Sequence, residues 1–124
     1  LVSNNDRITV NWALGVAAMP KAAVKVLLNL ALIGIEALVR GGTLDIGAES
    51  REGASEIVVR AAGAKIAFDP VIGRALEGTL QPAELSSRTA PAAMVQQLAA
   101  SSGGGLQFAL SDDALVMGAV LPHG

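Results

Sequence analysis

The chain predicts an α/β fold: a two-layer sandwich in which a mixed, mostly antiparallel sheet of about five strands carries about three helices on one face. Three observations lead there. Segments with the period of a strand and segments with the period of a helix follow one another in the order strand–helix–strand–strand–helix–helix–strand–strand. Two neighbouring pairs of strands are separated only by short polar turns and so read as antiparallel hairpins. At 124 residues, 52% apolar and 16% charged, the chain has the size and composition of one domain with a core to bury.

The first strand is Ile8–Trp12, where apolar and polar residues alternate, and Ala13 to Met19 reads as a loop. Pro20 suits the first position of a helix, where its missing N–H costs nothing. That helix is expected from about Pro20 to Val39, with Gly41-Gly42 as its stop. The nearly unbroken apolar wall around Asn29 places Leu28 and Leu30 in the core. Thr43 to Glu49 follows as a strand with Leu44, Ile46 and Ala48 on one face, and Ser50–Ser55 has the composition of a hairpin loop. Glu56 to Ala62 is the returning strand. Asp69-Pro70 is a helix start, because the carboxylate accepts free backbone N–H groups and Pro presets φ; this short helix runs to about Glu77 and ends at Gly78. Leu80 to Ser87 reads as loop, and Thr89 or Ser87 caps a third helix from about Ala90 to Ala100. Leu106–Leu110 and Ala114–Leu121 close the chain as a hairpin around Ser111-Asp112-Asp113.

Composition excludes several functions. With two Phe, one Trp, no Tyr and a net charge of −2, the chain lacks both the stacking platforms and the basic footprint of nucleic-acid binders. It has no cysteine, and its one histidine, His123, stands beside the C-terminus, so neither thiolate nor imidazole can build a metal centre. The Leu1–Asp6 segment has no signal-peptide apolar region. The longest apolar stretch, Val24 to Val39, is broken by Lys25, Asn29 and Glu36 and falls short of the ~20 apolar residues of a membrane span. A soluble, cytoplasmic protein with no membrane partner is expected. The chain opens on Leu1 rather than Met and in mid-pattern, as expected of a domain belonging to something longer.

The run Val26-Leu27-Leu28-Asn29-Leu30-Ala31-Leu32-Ile33-Gly34-Ile35-Glu36-Ala37-Leu38, followed by Arg40-Gly41-Gly42-Thr43-Leu44-Asp45-Ile46, resembles the nucleotide-binding helix and following strand of histidine-kinase ATPase domains, which have the Bergerat fold. Gly103-Gly104-Gly105-Leu106-Gln107-Phe108-Ala109-Leu110 and the closing Ala119-Val120-Leu121-Pro122 resemble the end of the same domains. The resemblance spans nearly the whole chain, and it implies an ATP site held by three motifs. In the first, N-L-x-x-N-A, the second Asn helps hold magnesium; that position is Ile33, and a hydrocarbon offers nothing to a cation that demands oxygen. The second, D-x-G-x-G, falls on Ala61-Ala62-Gly63-Ala64-Lys65, where the adenine-binding Asp is Ala61, the last Gly is Lys65 and only Gly63 remains. The third is a Gly-rich phosphate lid before the last helix; Glu84-Leu85-Ser86-Ser87-Arg88-Thr89-Ala90-Pro91 contains no glycine, and a lid of backbone N–H groups needs that freedom to curl round phosphate.

A kept fold with an abandoned pocket resembles the cell-cycle histidine phosphotransferases of alpha-proteobacteria. Pro20-Lys21 through Val26-Leu27-Leu28-Asn29-Leu30, and Glu36-Ala37-Leu38-Val39-Arg40-Gly41-Gly42, look like theirs. The resemblance implies that residues 1–124 form a degenerate ATPase-like domain without a cofactor, which positions a response-regulator receiver domain in a two-component phosphorelay. It further implies a homodimer formed through a helical hairpin that carries the phospho-accepting His; this chain contains neither hairpin nor such a His. No catalytic, cofactor-binding or metal-binding residue is assigned, and no kinase or ATPase activity is expected of the chain alone. Two other readings stay open: a genuine ATP-binding kinase-like domain, and a protein-binding adaptor outside any phosphorelay.

Lys21, Lys25, Asn29 and Glu36 fall on one stripe of the first helix, with Leu32 inside it. The stripe is either the helix's solvated face or a partner surface, and the apolar Leu32 is what favours a partner. Asn29 reads as a hydrogen-bonded helix residue or a surviving ligand. Asp112-Asp113 reads as turn chemistry rather than an acid–base pair. Lys65 and Arg88 are either phosphate contacts or solvated surface, and His123 at a chain end cannot hold an imidazole in line for phosphoryl transfer.

Overall fold

Apolar residues at every second position of three central strands meet the apolar stripe of one long helix, and that contact organises the molecule. The computed structural model of the chain describes residues 7–15 and 19–122. Leu1–Asp6, the Val16–Ala18 part of the expected loop, and His123 lie outside the described residues. The elements are β1 (Ile8–Leu14), α1 (Lys21–Ala37), β2 (Gly42–Arg51), β3 (Ala54–Ala62), α2 (Pro70–Glu77), a 3₁₀ turn (Pro82–Glu84), α3 (Ala90–Ser101), β4 (Gly105–Leu110) and β5 (Ala114–Pro122). The sheet has five strands in the order β1-β2-β3-β5-β4. β1 runs parallel to β2 and every other pair is antiparallel, which is the mixed, mostly antiparallel two-layer fold that the sequence predicts.

One face of the sheet carries Leu44, Ile46 and Ala48 of β2, Ile57, Val59 and Ala61 of β3, and Leu115, Met117 and Ala119 of β5, all buried. Val26, Leu27, Leu30 and Ile33 of α1, Ile72 and Leu76 of α2, and Ala92 and Val95 of α3 close the core from above. α1 lies very close to the sheet because Gly34 faces it: a Cβ there would stand 2.6 Å from Leu44 Cδ1 and 3.6 Å from Ala61 Cβ.

Several boundaries differ from expectation, for local reasons. β1 continues two residues past Trp12, through Ala13 and Leu14, because its parallel register with β2 continues to Ala48. α1 begins at Lys21 with Pro20 as its cap, and ends at Ala37; Leu38 breaks the helix and its N–H returns to the Ile35 carbonyl. Gly41 and Gly42, at φ 82° and 138°, then turn the chain directly into β2. The hairpin between β2 and β3 needs only Glu52 and Gly53, both at positive φ, so the polar residues Ser50, Arg51 and Ser55 are strand, not loop. α2 starts and stops where expected: Asp69 accepts the Val71 N–H at 3.0 Å and Gly78 ends it at φ 79°. The expected loop before α3 holds the 3₁₀ turn. Leu28 is a correction: it is 56% exposed, while Leu30 is fully buried. At 100° per residue, Leu28 lies on a flank of α1 and Leu30 close to the direction of the sheet-facing Gly34.

Candidate functional site

The position where the resemblance places a nucleotide is a cleft of about 530 Å³ between the C-terminal half of α1, the segment entering α2, and Arg88. Ile33 and Ala37 form its helix wall, Phe68 and Ile72 the opposite wall, and Glu36, Asp69 and Arg88 its polar rim. Ile33 is only 6% exposed, so its branched hydrocarbon is both core and cleft wall. Phe68 is fixed by a tilted ring contact with Phe108 of β4, centroids 5.4 Å apart.

The three motif positions have different fates. Ala61 is fully buried under α1 and does not line the cleft. Gly63 is explained by packing: a Cβ there would stand 2.5 Å from the Gly41 carbonyl oxygen, and its N–H donates to the Asp113 carbonyl at 3.0 Å. Lys65 is exposed and lies outside the cleft lining. Magnesium-ATP therefore finds no oxygen at Ile33, no carboxylate at Ala61 and no glycine in the lid segment, so the residues present do not fit that group.

The lid segment is instead fastened down. Arg74 of α2 pairs with Glu84 at the end of the 3₁₀ turn, and the second Glu84 oxygen accepts the Gln81 N–H at 3.1 Å. These bonds hold the Glu84 carboxyl below the usual carboxylate range, the Arg74 hydrogen bond first and the Gln81 N–H second, and the same pair raises the Arg74 guanidinium. Thr89 occupies the cap position of α3, but its hydroxyl turns back into the loop rather than capping the helix. Buried, it accepts the Ser86 N–H at 2.9 Å and sits 3.2 Å from the carbonyls of Glu84 and Ser86, to one of which it donates. Arg88 is no free surface cation: it meets Asp69 at 3.3 Å and links the lid segment to the start of α2. The Asp69-Pro70 helix start is visible in the sequence, but its ion pair crosses a loop whose path no local pattern reveals.

Lys21, Lys25, Leu32 and Glu36 are exposed on the pole of α1 opposite Gly34, with Asn29 half-buried at the edge next to α3. The Asn29 amide donates to the Lys25 carbonyl at 2.7 Å and approaches Met94 Sδ at 3.6 Å. Asn29 is thus hydrogen-bonded within its own helix, and it is not part of the cleft lining. Leu32, 42% exposed, is the apolar centre of the stripe. Asp112 and Asp113 form the β4–β5 turn, where Ser111 Oγ donates to Asp113 Oδ1 at 3.3 Å. Among the described residues, no group of three or more His, Cys, Asp or Glu could hold a metal ion, and no helix is long and apolar enough to cross a membrane.

A five-stranded mixed sheet under three helices, with a cleft at the end of the longest, defines a histidine-kinase ATPase-like domain. The model of the histidine phosphotransferase C-terminal domain matches residues 1–114, and the chain belongs to that family. Among solved structures, a bacterial phosphotransferase superposes with a TM-score of 0.80 at 23% identity, over 94% of this chain and 57% of that one. The histidine kinase domain of the blue-light activated kinase EL346 of Erythrobacter litoralis gives 0.69 at 15% identity, over 98% and 54%. Full-length ShkA in complex with AMPPNP gives 0.65 at 20% identity, over 93% and 25%. The chain thus spans little more than half the length of the phosphotransferase it resembles. No curated protein matches it by sequence.

Proposed function

We propose that this domain is the non-ATP-binding, ATPase-like part of a histidine phosphotransferase of the alpha-proteobacterial cell-cycle type, and that it positions a response-regulator receiver domain in a cytoplasmic phosphorelay. The observation that carries the reading is the hydrocarbon wall of the cleft at Ile33, beside a lid segment fastened by Arg74–Glu84 and Arg88–Asp69. Phosphoryl transfer between a His and an aspartate depends chiefly on in-line positioning and charge stabilisation, so a domain that docks one partner contributes without reacting itself. The phospho-accepting His and the dimer contact belong, in this reading, to a helical hairpin. The docking face is Lys21, Lys25, Asn29, Leu32 and Glu36, a charged stripe around one exposed leucine.

The test has two arms. Millimolar ATP with magnesium leaves the melting curve of the chain unchanged; ligand at a hundred times Kd stabilises by about 2.7 kcal/mol, so micromolar binding would show and would overturn the non-ATP reading. In the protein carrying its hairpin, Leu32→Asp slows transfer to the receiver while far-UV circular dichroism stays unchanged. A transfer rate indifferent to both Leu32→Asp and Lys25→Glu removes this face as the docking site.

A further inference from the structure

Among the described residues β1 is hydrogen-bonded on one side only, to β2, and its other edge ends the sheet. Exposed edges ordinarily carry a charge, a proline or a bulge that discourages pairing with another chain. Ile8-Thr9-Val10-Asn11-Trp12-Ala13-Leu14 has none of these: it is uncharged, proline-free and in unbroken register with β2. The helix layer also leaves it bare. Val10, Trp12 and Leu14 lie beside the buried Leu44, Ile46 and Ala48, on the core face, yet are 39%, 56% and 49% exposed. The exposed Val24 and Leu28 lie on the flank of α1 turned away from α3, since Asn29 marks the α3 side and Gly34 the sheet side. The flank is opposite the one that forms the cleft.

We propose, as a contact separate from the hairpin dimer of the proposed function, that the occupant of this edge is a second copy of the same domain, paired antiparallel through β1 about a two-fold axis at Asn11. Directly opposed residues of an antiparallel pair share a face. This register sets Val10 against Trp12 of the second copy and Ile8 against its Leu14, all on the core face. Thr9 meets Ala13 and Asn11 meets itself on the outer face. The ends match in charge, because Glu49 and Glu56 share the one guanidinium of Arg51, at 3.1 and 4.0 Å, and leave that end net negative. Arg7 comes opposite Gly15 of the second copy, and Glu49 lies against Gly15, its Cγ 3.4 Å and Oε1 3.9 Å from the position a Cβ would take. Each end of the ladder thereby brings Arg7 of one copy to Glu49 of the other. A slip by one residue would set the apolar set against Thr9, Asn11 and Ala13, and a slip by two would keep the faces but move Arg7 of each copy away from Glu49 of the other, so alternation and end charges together select this register. The opposite edge, β4, is shorter, and its core face is covered at Phe108 by Phe68, which leaves only Leu110 exposed on that face. The pairing joins two five-stranded sheets into one continuous sheet with an isologous contact.

The experiment is sedimentation equilibrium of the 124-residue chain, with a cysteine readout of register; the chain has no cysteine of its own. A monomer–dimer equilibrium is expected, weakened at least about tenfold by Trp12→Lys. Arg7→Glu also weakens it, and adding Glu49→Lys restores it. Asn11→Cys crosslinks to a covalent dimer on oxidation, because opposed Cα atoms stand about 5 Å apart. Thr9→Cys does not, because the two copies of position 9 are offset by about 13 Å. A chain monomeric throughout the micromolar-to-millimolar range overturns the proposal. So does a dimer indifferent to Trp12→Lys, or one in which Thr9→Cys crosslinks as fast as Asn11→Cys.

Discussion

Truncating Leu30 and Leu28 separately measures which face of α1 builds the core. Leu30 is fully buried and Leu28 is 56% exposed, although they stand two residues apart on the same helix. Leu30→Ala removes three carbons from a dry interior, about 2.4 kcal/mol at about 0.8 kcal/mol per buried methylene. The cavity between α1 and the sheet adds to this, because the Gly34 contact already holds the helix close and leaves little room to collapse. The total expected is about 3–4 kcal/mol, inside the range known for buried leucines. Leu28→Ala withdraws a side chain of which less than half is shielded from water, and alanine recovers a few tenths of that in helix propensity, so its cost stays below about 1 kcal/mol. For a domain of this size each kcal/mol moves Tm by about 4 °C, which separates the variants by roughly 10 °C. Urea melts at equilibrium with unchanged m-values are the assay. A cost under about 1 kcal/mol for Leu30→Ala, or two variants of equal stability, refutes the assignment of the buried face.

Gly63→Ala destabilises by about 1–3 kcal/mol without affecting any ligand, since its Cβ would strike the Gly41 carbonyl; a neutral denaturant melt counts against the packing role. Glu84→Gln loosens the lid segment, read as faster amide exchange at Ser86 and Thr89, and its stability deficit depends on pH with a definite sign. Because the folded Glu84 carboxyl is held below its ordinary value, its contribution is full above the unfolded value of about 4.3 and fades as pH falls from there through the folded value. Wild type and Glu84→Gln therefore converge toward acid, and a difference that grows as pH falls contradicts the pairing. Incubated with a phosphorylated receiver domain, the chain alone acquires no label; label on His123 that disappears in His123→Ala removes the purely positioning role.

The fold was legible because its strands and helices obey simple periods. Leu44, Ile46 and Ala48 alternate as a half-buried strand must, and Asp69-Pro70 with Gly78 brackets α2 by cap chemistry alone. The extent of the hairpin is hidden because Ser50, Arg51 and Ser55 have loop composition, while a two-residue turn at Glu52-Gly53 lets both strands run to it. The exposure of Leu28 is not legible because a helix apolar nearly all round does not declare which flank is covered; that depends on where α3 lies. For the site, the substitutions at Ile33 and Ala61 were readable from the motif alone. The Arg74–Glu84 and Arg88–Asp69 pairs were not, since each joins residues brought together by a loop without periodicity.

Gly63 bears on how such a pocket is to be understood. It is the one motif position of its segment still occupied by the family's residue, and taken alone it would argue for a retained nucleotide site. Its geometry points elsewhere: the chain leaving β3 passes so close to the Gly41-Gly42 turn that a side chain at 63 would overlap backbone, and no ligand is needed to explain a glycine there. The two motif positions whose side chains would have met the nucleotide, 33 and 61, carry hydrocarbon. The glycine that shapes backbone is present and the groups that would touch ligand are absent, and that division separates the constraint of folding from the constraint of binding. Within this domain the first is intact. The docking and edge-pairing tests therefore address surfaces, the α1 pole and β1, where binding groups can change without disturbing the core beneath them.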